Sequence, residues 1–376
     1  MATYELLELK LASHAINEYV TLARDVMHDG CAKVANGVLR AVIRLKDSGT
    51  LPVPPKPEKG MKFNDVADLL AINFSHPTWM VARWLKRFGL RRTIEILKIN
   101  NSRPKYSVRV SPGQDVEDLI TSLEDMGAVV NRSHYLPNEY LVISSGLQSI
   151  INSGLLKEGK LQVQDEAAGM VVAMLSPRKG DSLLDCCAAP GGKTLFAAAR
   201  MSGKGSIVAL DSVDSRLGAL RKAAQQQSFG DMITCIAADA RQFCENAALS
   251  NDTFDRVLVD APCSGTGVLC KRADMRWRRK VSDMTGLVTL QMELLDAASM
   301  VVCPEGLLVY STCSIEPEEN ELVVERFLKD HPEFYLEEAN VVPDIPKECM
   351  SASGMLQMYP DVHRTDGAFA ARMRRG

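Results

Sequence analysis

From residue 160 to the end the chain alternates helical and strand-like segments, and this order constrains the fold more than any other feature. DEAAGMVVAML has the apolar spacing of a helix and precedes the strand-like SLLDCC. A helix starting at Lys193 follows, then the strand SIVALD, the helix SRLGALRKAAQQQ, the strands MITCIAAD and FDRVLVDAPCSG, the helix LQMELLDAASMVV and the strand GLLVYSTCS. Strands alternating with helices pack as a doubly wound, largely parallel sheet, so the expected class is α/β. Ligands in such sheets sit beyond the carboxyl ends of the strands. Asp185, Asp211, Asp239, Asp260 and Cys313 occupy those ends, which makes them the first candidates for chemistry.

The preceding residues follow other periods. Residues 1–48 read as helices, with Ile16, Val20, Ala23 and Met27 in one apolar run and Val34, Val38, Leu39, Val42 and Ile43 in another. LPVPPKPEKG is rich in proline and extended, and a linker is placed over 51–74. The next stretch, 64–100, has helical spacing, with Trp79, Val81, Trp84, Leu85 and Phe88 opposite a basic face. KYSVRV then alternates like a strand, DVEDLITSLEDMG reads as an amphipathic helix stopped by Gly127, and YLVIS is another strand. The helical stretch and this β-α-β order give a small α+β module over 75–155, ahead of a catalytic-type domain over 156–376.

Composition removes several classes. No apolar run is long enough to cross a bilayer, and MATYELLELKLASHAINEYV has neither a secretory nor a transit pattern. A net charge of −3 argues against capture of nucleic acid by the whole surface and leaves local basic patches as the means. The ten cysteines include no C-x-x-C pair and have no histidine at ligand spacing. They read as reduced thiols, and no metal site is expected.

The stretch CCAAPGGKT ends like a phosphate-binding loop but is not one. That loop needs glycine where Cys187 stands, and Pro190 removes an N–H from the cradle. Gly191 and Gly192 instead let the backbone approach some other ligand; the alternative is a turn that only packs helix on strand. Asp211 suits the hydroxyls of a ribose, and Asp239 suits an adenine edge. Ribose and adenine contacts without a phosphate cradle fit S-adenosylmethionine better than a dinucleotide or ATP. Two further cysteines, Cys263 in DAPCSG and Cys313 in STCS, lie just past apolar strands.

Taken together, CCAAPGGKT, ALD, AAD, DAPCSGTG, KRADMRW, YSTCSIEPEENE and DGAFAARM resemble the cytosine-C5 RNA methyltransferases of the Nol/Nop/Sun family. ANGVLR, SHPTWMVARWLKRFG and INNSRPKYSVRV resemble its bacterial-type small-subunit rRNA subgroup, with wording closest to plant members. The resemblance implies a Rossmann-like methyltransferase sheet, preceded by an α+β RNA-recognition-like module and a partial NusB-like helical region over 1–50. It implies S-adenosylmethionine as cofactor, held by Cys187, Ala188, Ala189, Pro190, Gly191, Gly192, Lys193, Asp211, Asp239 and Asp260.

By the same resemblance Cys313 is the nucleophile, Cys263 helps release the product, and Asp260 contacts N3 of the base and the methionine end of the cofactor. The residues alone leave the reverse assignment of the cysteines open. Lys193 is equally suited to lowering a cysteine pKa or to holding the cofactor carboxylate.

RNA, most of all rRNA, is the expected partner of a monomer. One basic cluster, KRADMRWRRK, offers Arg276 and Arg278 to phosphates and Trp277 to a base. A second, from Lys86 to Arg109, includes Arg91 and Arg103. The acidic EPEENE reads as the start of a helix rather than a metal site. Ala368-Phe369 replaces the family's two aromatics and implies a local packing change. Only the last part of a NusB-like bundle precedes the linker, so either residues further upstream or a partner covering its apolar face is expected. Plant relatives suggest a plastid, otherwise the cytoplasm. The alternatives are a tRNA methyltransferase and a non-catalytic assembly factor.

Overall fold

The computed structural model describes residues 12–52, 55–337, 342 and 344–376, in two compact units, Met1–Leu69 and Leu70–Gly376. Leu6, Leu7, Leu9 and Leu11 lie outside the described residues. In the first unit α1 (Ala12–Val26) and α2 (Asp29–Asp47) pack through Ile16 and Leu39, with Val20 and Ile43 beside them. Asn36-Gly37 lies within α2 without breaking it. His28 caps α2 by accepting from the Cys31 N–H. The segment expected as linker is helical in its second half, as α3 (Phe63–Phe74), because VADLLAIN supplies an apolar stripe.

In the second unit α4 (Thr78–Asn100) bends at Gly89, whose φ of +73° no helix can hold. Met80, Val81, Trp84 and Leu85 are its buried face. The order β1 (Tyr106–Val110), α5 (Val116–Asp125), β2 (Val129–Arg132), β3 (Tyr140–Ser145), α6 (Leu147–Asn152) and β4 (Leu161–Val163) then forms an antiparallel sheet with strand order β2-β3-β1-β4. This is a ferredoxin-like βαββαβ module. It takes its last strand from beyond the expected boundary at 155. Val108, Leu123, Leu141 and Ile143 fill its core.

The larger sheet has the order β10-β12-β9-β8-β5-β6-β7, with β11 paired to β12. Its parallel part is β5 (Ser182–Asp185), β6 (Ser206–Asp211), β7 (Ile233–Ala237), β8 (Phe254–Asp260) and β9 (Val302–Thr312). The helices α7 (Glu166–Leu175), α8 (Gly192–Arg200) and α9 (Asp214–Gln226) cover one face. On the other lie α10 (Ala240–Leu249), α12 (Val281–Ser299) and α13 (Glu321–Asp330), while the single turn α11 (Met275–Arg278) precedes α12. The pattern reading gave no helix between β7 and β8. The buried stripe of α10 is Ala240, Cys244 and Ala247, too small to show as apolar periodicity.

The reading also gave no C-terminal strands. β10 (Phe334–Leu336), β11 (Leu356–Met358) and, after the short α14 (Pro360–His363), β12 (Ala368–Arg375) add an antiparallel edge. β12 lies between β9 and β10, and Phe369 is buried against Tyr310. No helix among the described residues is long and apolar enough to cross a membrane.

α7 is buried along nearly its whole length because the small module packs on it through Leu136 and Tyr140 while the large sheet holds its other side. A Cβ at Gly169 would stand 2.7 Å from the Tyr140 ring and 2.8 Å from Leu136 Cδ1. Gly169→Ala is therefore expected to cost about 1–3 kcal/mol by overpacking, seen as a melting temperature several degrees lower.

Candidate active site

β8 and β9 are parallel neighbours with Asp260 opposite Ser311, so the DAPCSG and TCS loops leave the sheet side by side. This register brings Cys263 Sγ and Cys313 Sγ to 3.3 Å. With the proton kept on Cys263, its hydrogen bond holds the Cys313 thiol below the ordinary range; the Lys193 ammonium adds to this, against burial and Asp260. The same hydrogen bond and burial push Cys263 well above its ordinary value. The pair is thus polarised towards a thiolate at Cys313. Cys187, by contrast, is raised by burial and then by Asp185.

Two loops meet at this distance because one buried carboxylate holds both. Glu319, with no exposed surface, accepts from the Ser264 N–H at 2.7 Å, the Ser264 hydroxyl, the Ser314 hydroxyl at 2.6 Å and the Gln291 amide at 3.2 Å. Ser264 directly follows Cys263 and Ser314 directly follows Cys313. Arg279 adds to the hold, donating to the Cys263 carbonyl at 2.9 Å and the Ser264 carbonyl at 3.1 Å. Within EPEENE, Glu321 does begin α13, but Glu316 and Glu319 turn inward. Glu316 accepts from Trp84 Nε1 at 2.9 Å and pairs with Arg83 at 3.0 Å.

Beside the cysteines is a cavity of about 510 Å³. Cys187, Ala188, Ala189, Pro190, Gly192, Lys193 and Asp260 line it together with Cys313. Gly191 shapes the turn: its φ is +107°, and a Cβ there would stand 2.5 Å from Leu220. Lys193 Nζ donates to Asp260 at 2.7 Å, and Ser311 donates to the other carboxylate oxygen at 2.8 Å. Burial pulls the Lys193 ammonium down, but Asp260 outweighs it and keeps the pKa above the ordinary value. Asp185 lies behind, pushed to about 6 by burial against the 2.7 Å bond from Thr194.

Asp211 and Asp239 are not on this lining. Asp211 accepts from the Val213 N–H at 3.0 Å and pairs with Arg216. Asp239 caps α10 through the Arg241 N–H and pairs with the Arg241 side chain. Both are at the carboxyl edge of the sheet, as the sequence reading placed them. The cavity suits a ligand that brings acceptor atoms. Gln164 Nε2 is buried on the lining with no hydrogen-bond partner among the described residues, and Lys193 offers a cation. The wall of Ala188, Pro190 and Gly192 offers close approach with no phosphate cradle. S-adenosylmethionine, with its carboxylate and ribose, fits this donor set.

The basic clusters divide. Arg276 is not available to RNA: it is 4% exposed, and its guanidinium donates to Asn101 Oδ1 at 2.7 Å and to the backbone carbonyls of Asn100 and Ser75. Folding uses this arginine to close three carbonyl-type acceptors, two at the end of α4 and one just after α3. Trp277 and Arg278 beside it are exposed. Arg109 is buried on β1 against Gln162 and Gln164, and Arg92 pairs with Asp361. Arg91 and Arg103 are exposed.

The sequence reading missed Glu319, Arg279 and Gln164. Glu319 and Arg279 stood inside quoted motifs, yet only the fold shows which way they turn.

A parallel sheet with a glycine turn after one inner strand and acidic residues at the tips of its neighbours defines the class of S-adenosylmethionine-dependent methyltransferases. Residues 172–374 match the family described as 16S rRNA methyltransferase RsmB/F. Residues 76–146 match the RsmF/B-like ferredoxin-like domain, and residues 1–44 match the NusB family. The chain belongs to the RsmB/F methyltransferase family. It is 32% identical over 367 residues to the probable ribosomal RNA small subunit methyltransferase B of Bacillus subtilis, across 96% of this chain and 78% of that protein. Among solved structures it resembles PH0851, with a TM-score of 0.82 and 27% identity across 100% of this chain and 80% of that one. It also resembles a methyltransferase homolog protein from Pyrococcus horikoshii, with a TM-score of 0.67 and 27% identity across 82% and 98%.

Glu319→Gln keeps the shape but turns one accepting oxygen into a donor facing the Ser hydroxyls. Methyl transfer is expected to fall at least about tenfold, with a lower melting temperature, since a broken buried network costs about 1–3 kcal/mol. Arg276→Met is expected to lower the melting temperature by several degrees while the salt dependence of RNA binding stays as in the wild type; a changed salt slope would place the guanidinium on phosphate instead.

Proposed function

We propose that this protein methylates C5 of a cytosine in small-subunit rRNA, with Cys313 bonded transiently to C6. The observation that carries the reading is the Cys263–Cys313 pair at 3.3 Å beside Lys193 and Asp260. Cytosine C5 is a poor nucleophile. A thiolate adding to C6 makes it an enamine carbon able to attack, and the sulfur polarised towards thiolate is Cys313. When bound, S-adenosylmethionine supplies the electrophilic methyl group.

Addition to C6 pushes an electron pair onto N3, which takes up a proton from solvent and returns it on release; Asp260 is the carboxyl placed to accept from that N3–H, and Lys193 holds Asp260 in position. Cys263 keeps its proton, donating it in a hydrogen bond to the Cys313 thiolate before attack and again as the thiolate leaves C6. The relatives carry names for rRNA small subunit methyltransferases, which supports rRNA over tRNA. Exposed Trp277, Arg278, Arg91 and Arg103 are among the side chains able to hold the RNA. A non-catalytic assembly factor would have no use for a cavity-lining thiol polarised by a second thiol at 3.3 Å.

Cys313→Ala is expected to reduce methyl transfer at least about a thousandfold and to abolish the covalent complex with 5-fluorocytosine RNA. Cys263→Ala should trap the complex on ordinary RNA. Substantial activity in Cys313→Ala would reverse the two roles. Bisulfite sequencing of rRNA and tRNA with and without the gene reads the substrate directly.

The polarised pair also sets a pH dependence. Cys313 stays a thiolate below the ordinary thiol range, and adduct formation is lost as pH falls through its lowered pKa. Without the Cys263 hydrogen bond, the acid limb of adduct formation in Cys263→Ala should move to higher pH. The rate of 5-fluorocytosine complex formation against pH checks the sign.

A further inference from the structure

The proposed reaction leaves one proton without a destination. After C5 is methylated it still carries its original hydrogen, and the ring regains aromaticity only when that proton departs. The titratable groups lining the cavity beside Cys313 are nearly all engaged. Asp260 is held by Lys193 and Ser311 and is assigned to N3. Asp185 is held by Thr194 and the Cys187 N–H. Cys263, off the lining but in contact with Cys313, keeps its own proton. Two carboxylates on the same lining, Asp165 and Asp366, have no part so far.

Asp366 is fixed relative to Cys313 by backbone packing. β12 pairs with β9, Phe369 opposite Thr312, so the chain entering β12 passes Cys313. Gly267 lies between the two: its N–H donates to the Cys313 carbonyl at 3.0 Å, and its carbonyl accepts from the Gly367 N–H at 2.8 Å. A Cβ on Gly267 would stand 2.7 Å from the Cys313 oxygen and 2.8 Å from Gly367 Cα, so only glycine permits this approach. Asp165, the N-cap of α7, accepts from the Asp366 N–H at 3.2 Å. Lys271 Nζ bridges the two carboxylates, at 2.5 Å from Asp165 and 2.9 Å from Asp366.

Resting on the cytosine-C5 reading, we propose that Asp366, held by Asp165 and Lys271, is the base that takes the C5 proton. The electron pair of the C5–H bond becomes the C5=C6 double bond. The C6–S bond breaks with its pair returning to Cys313 as thiolate, and the proton goes to an Asp366 carboxylate oxygen, from which solvent removes it.

The electrostatics suit the task. Burial and the neighbouring Asp165 push the Asp366 carboxyl up to about 7, against the pull of Lys271 and Arg272, and a base of that strength works best near neutral pH. Across the cavity it faces Lys193, Asp260 and Cys313; on its other side the adjoining groove presents Glu166, Arg103, Lys105 and Arg364. One cation shared by two carboxylates leaves the cluster one negative charge, which it neutralises by accepting a proton.

The test follows resolution of the covalent complex in Asp366→Asn. In a single turnover with labelled S-adenosylmethionine, the variant is expected to incorporate one methyl group per enzyme and then to release RNA about 10²–10⁴ times more slowly than the wild type. It should still form the 5-fluorocytosine complex at the wild-type rate, since that complex needs no proton removal. In the wild type the release rate should rise with pH through about 7, and Asp366→Asn should lose that dependence. Lys271→Met removes the cation that lowers the carboxyl, so the same limb should move to higher pH.

Release in Asp366→Asn at the wild-type rate with an unchanged pH profile overturns the assignment. So does failure of the variant to form the 5-fluorocytosine complex, which would make the residue structural. A wild-type protein that makes no 5-methylcytosine removes the underlying reading instead, and the two failures are thereby separate.

Discussion

A single buried carboxylate, Glu319, is the constraint on which the site depends. A charge removed from water is stable only when its lone pairs are occupied. Glu319 meets that condition with donors from Ser264, Ser314 and Gln291. Because two of those residues are the immediate neighbours of Cys263 and Cys313, satisfying the charge also brings the thiols into contact. The cysteine pair is thus a consequence of hydrogen-bond satisfaction, and the register of β8 against β9 supplies the starting proximity. Tyr310, whose hydroxyl donates to the Glu319 carbonyl at 2.6 Å, and Arg279 on the Cys263 loop fix the remaining freedom.

Around that anchor the protons are distributed unequally. Cys263 is raised and Cys313 lowered by the same hydrogen bond. Lys193 stays charged because Asp260 is 2.7 Å away. Asp185 is pushed to about 6 and Asp366 to about 7, both by burial first. Neighbouring groups with environments that drive their pKa values apart are how a site runs acid and base steps at one pH. The site has that arrangement between the sulfurs in one half, and in the other it raises Asp366 into the range of a base. Each half is held by a different lysine, Lys193 or Lys271.

The parallel sheet was legible because its strands are long apolar runs ending in Asp or Cys. The two cysteine loops were legible because each motif is local. What escaped the sequence depends on distance or on size. α10 escaped because Ala240, Cys244 and Ala247 carry little apolar surface. β12 escaped because it inserts antiparallel between β9 and β10, a pairing that adjacent residues do not encode. Glu319 and Ser264 are 55 positions apart, so EPEENE alone could show a helix start but not a clamp. Arg276, offered to phosphates, is instead buried against carbonyls, while Trp277 beside it is exposed. A guanidinium can bridge several acceptors where an indole has one N–H.

The net charge of −3 bears on how the proposed RNA would be held. Without a field from the whole surface, affinity rests on a few phosphates met by local cations, and on stacking, both of which are weak discriminators of sequence. The groove lined by Arg103, Lys105 and Arg364 adjoins the catalytic cavity, and Asp165 and Asp366 belong to the wall of both. A strand lying in the groove would have its backbone beside cations while one base enters a cavity walled by carboxylates. Unstacking that base costs a few kcal/mol, least where the RNA already leaves it unpaired. Selection of the target then falls to the shape of the RNA that reaches the cavity more than to contacts with its neighbours.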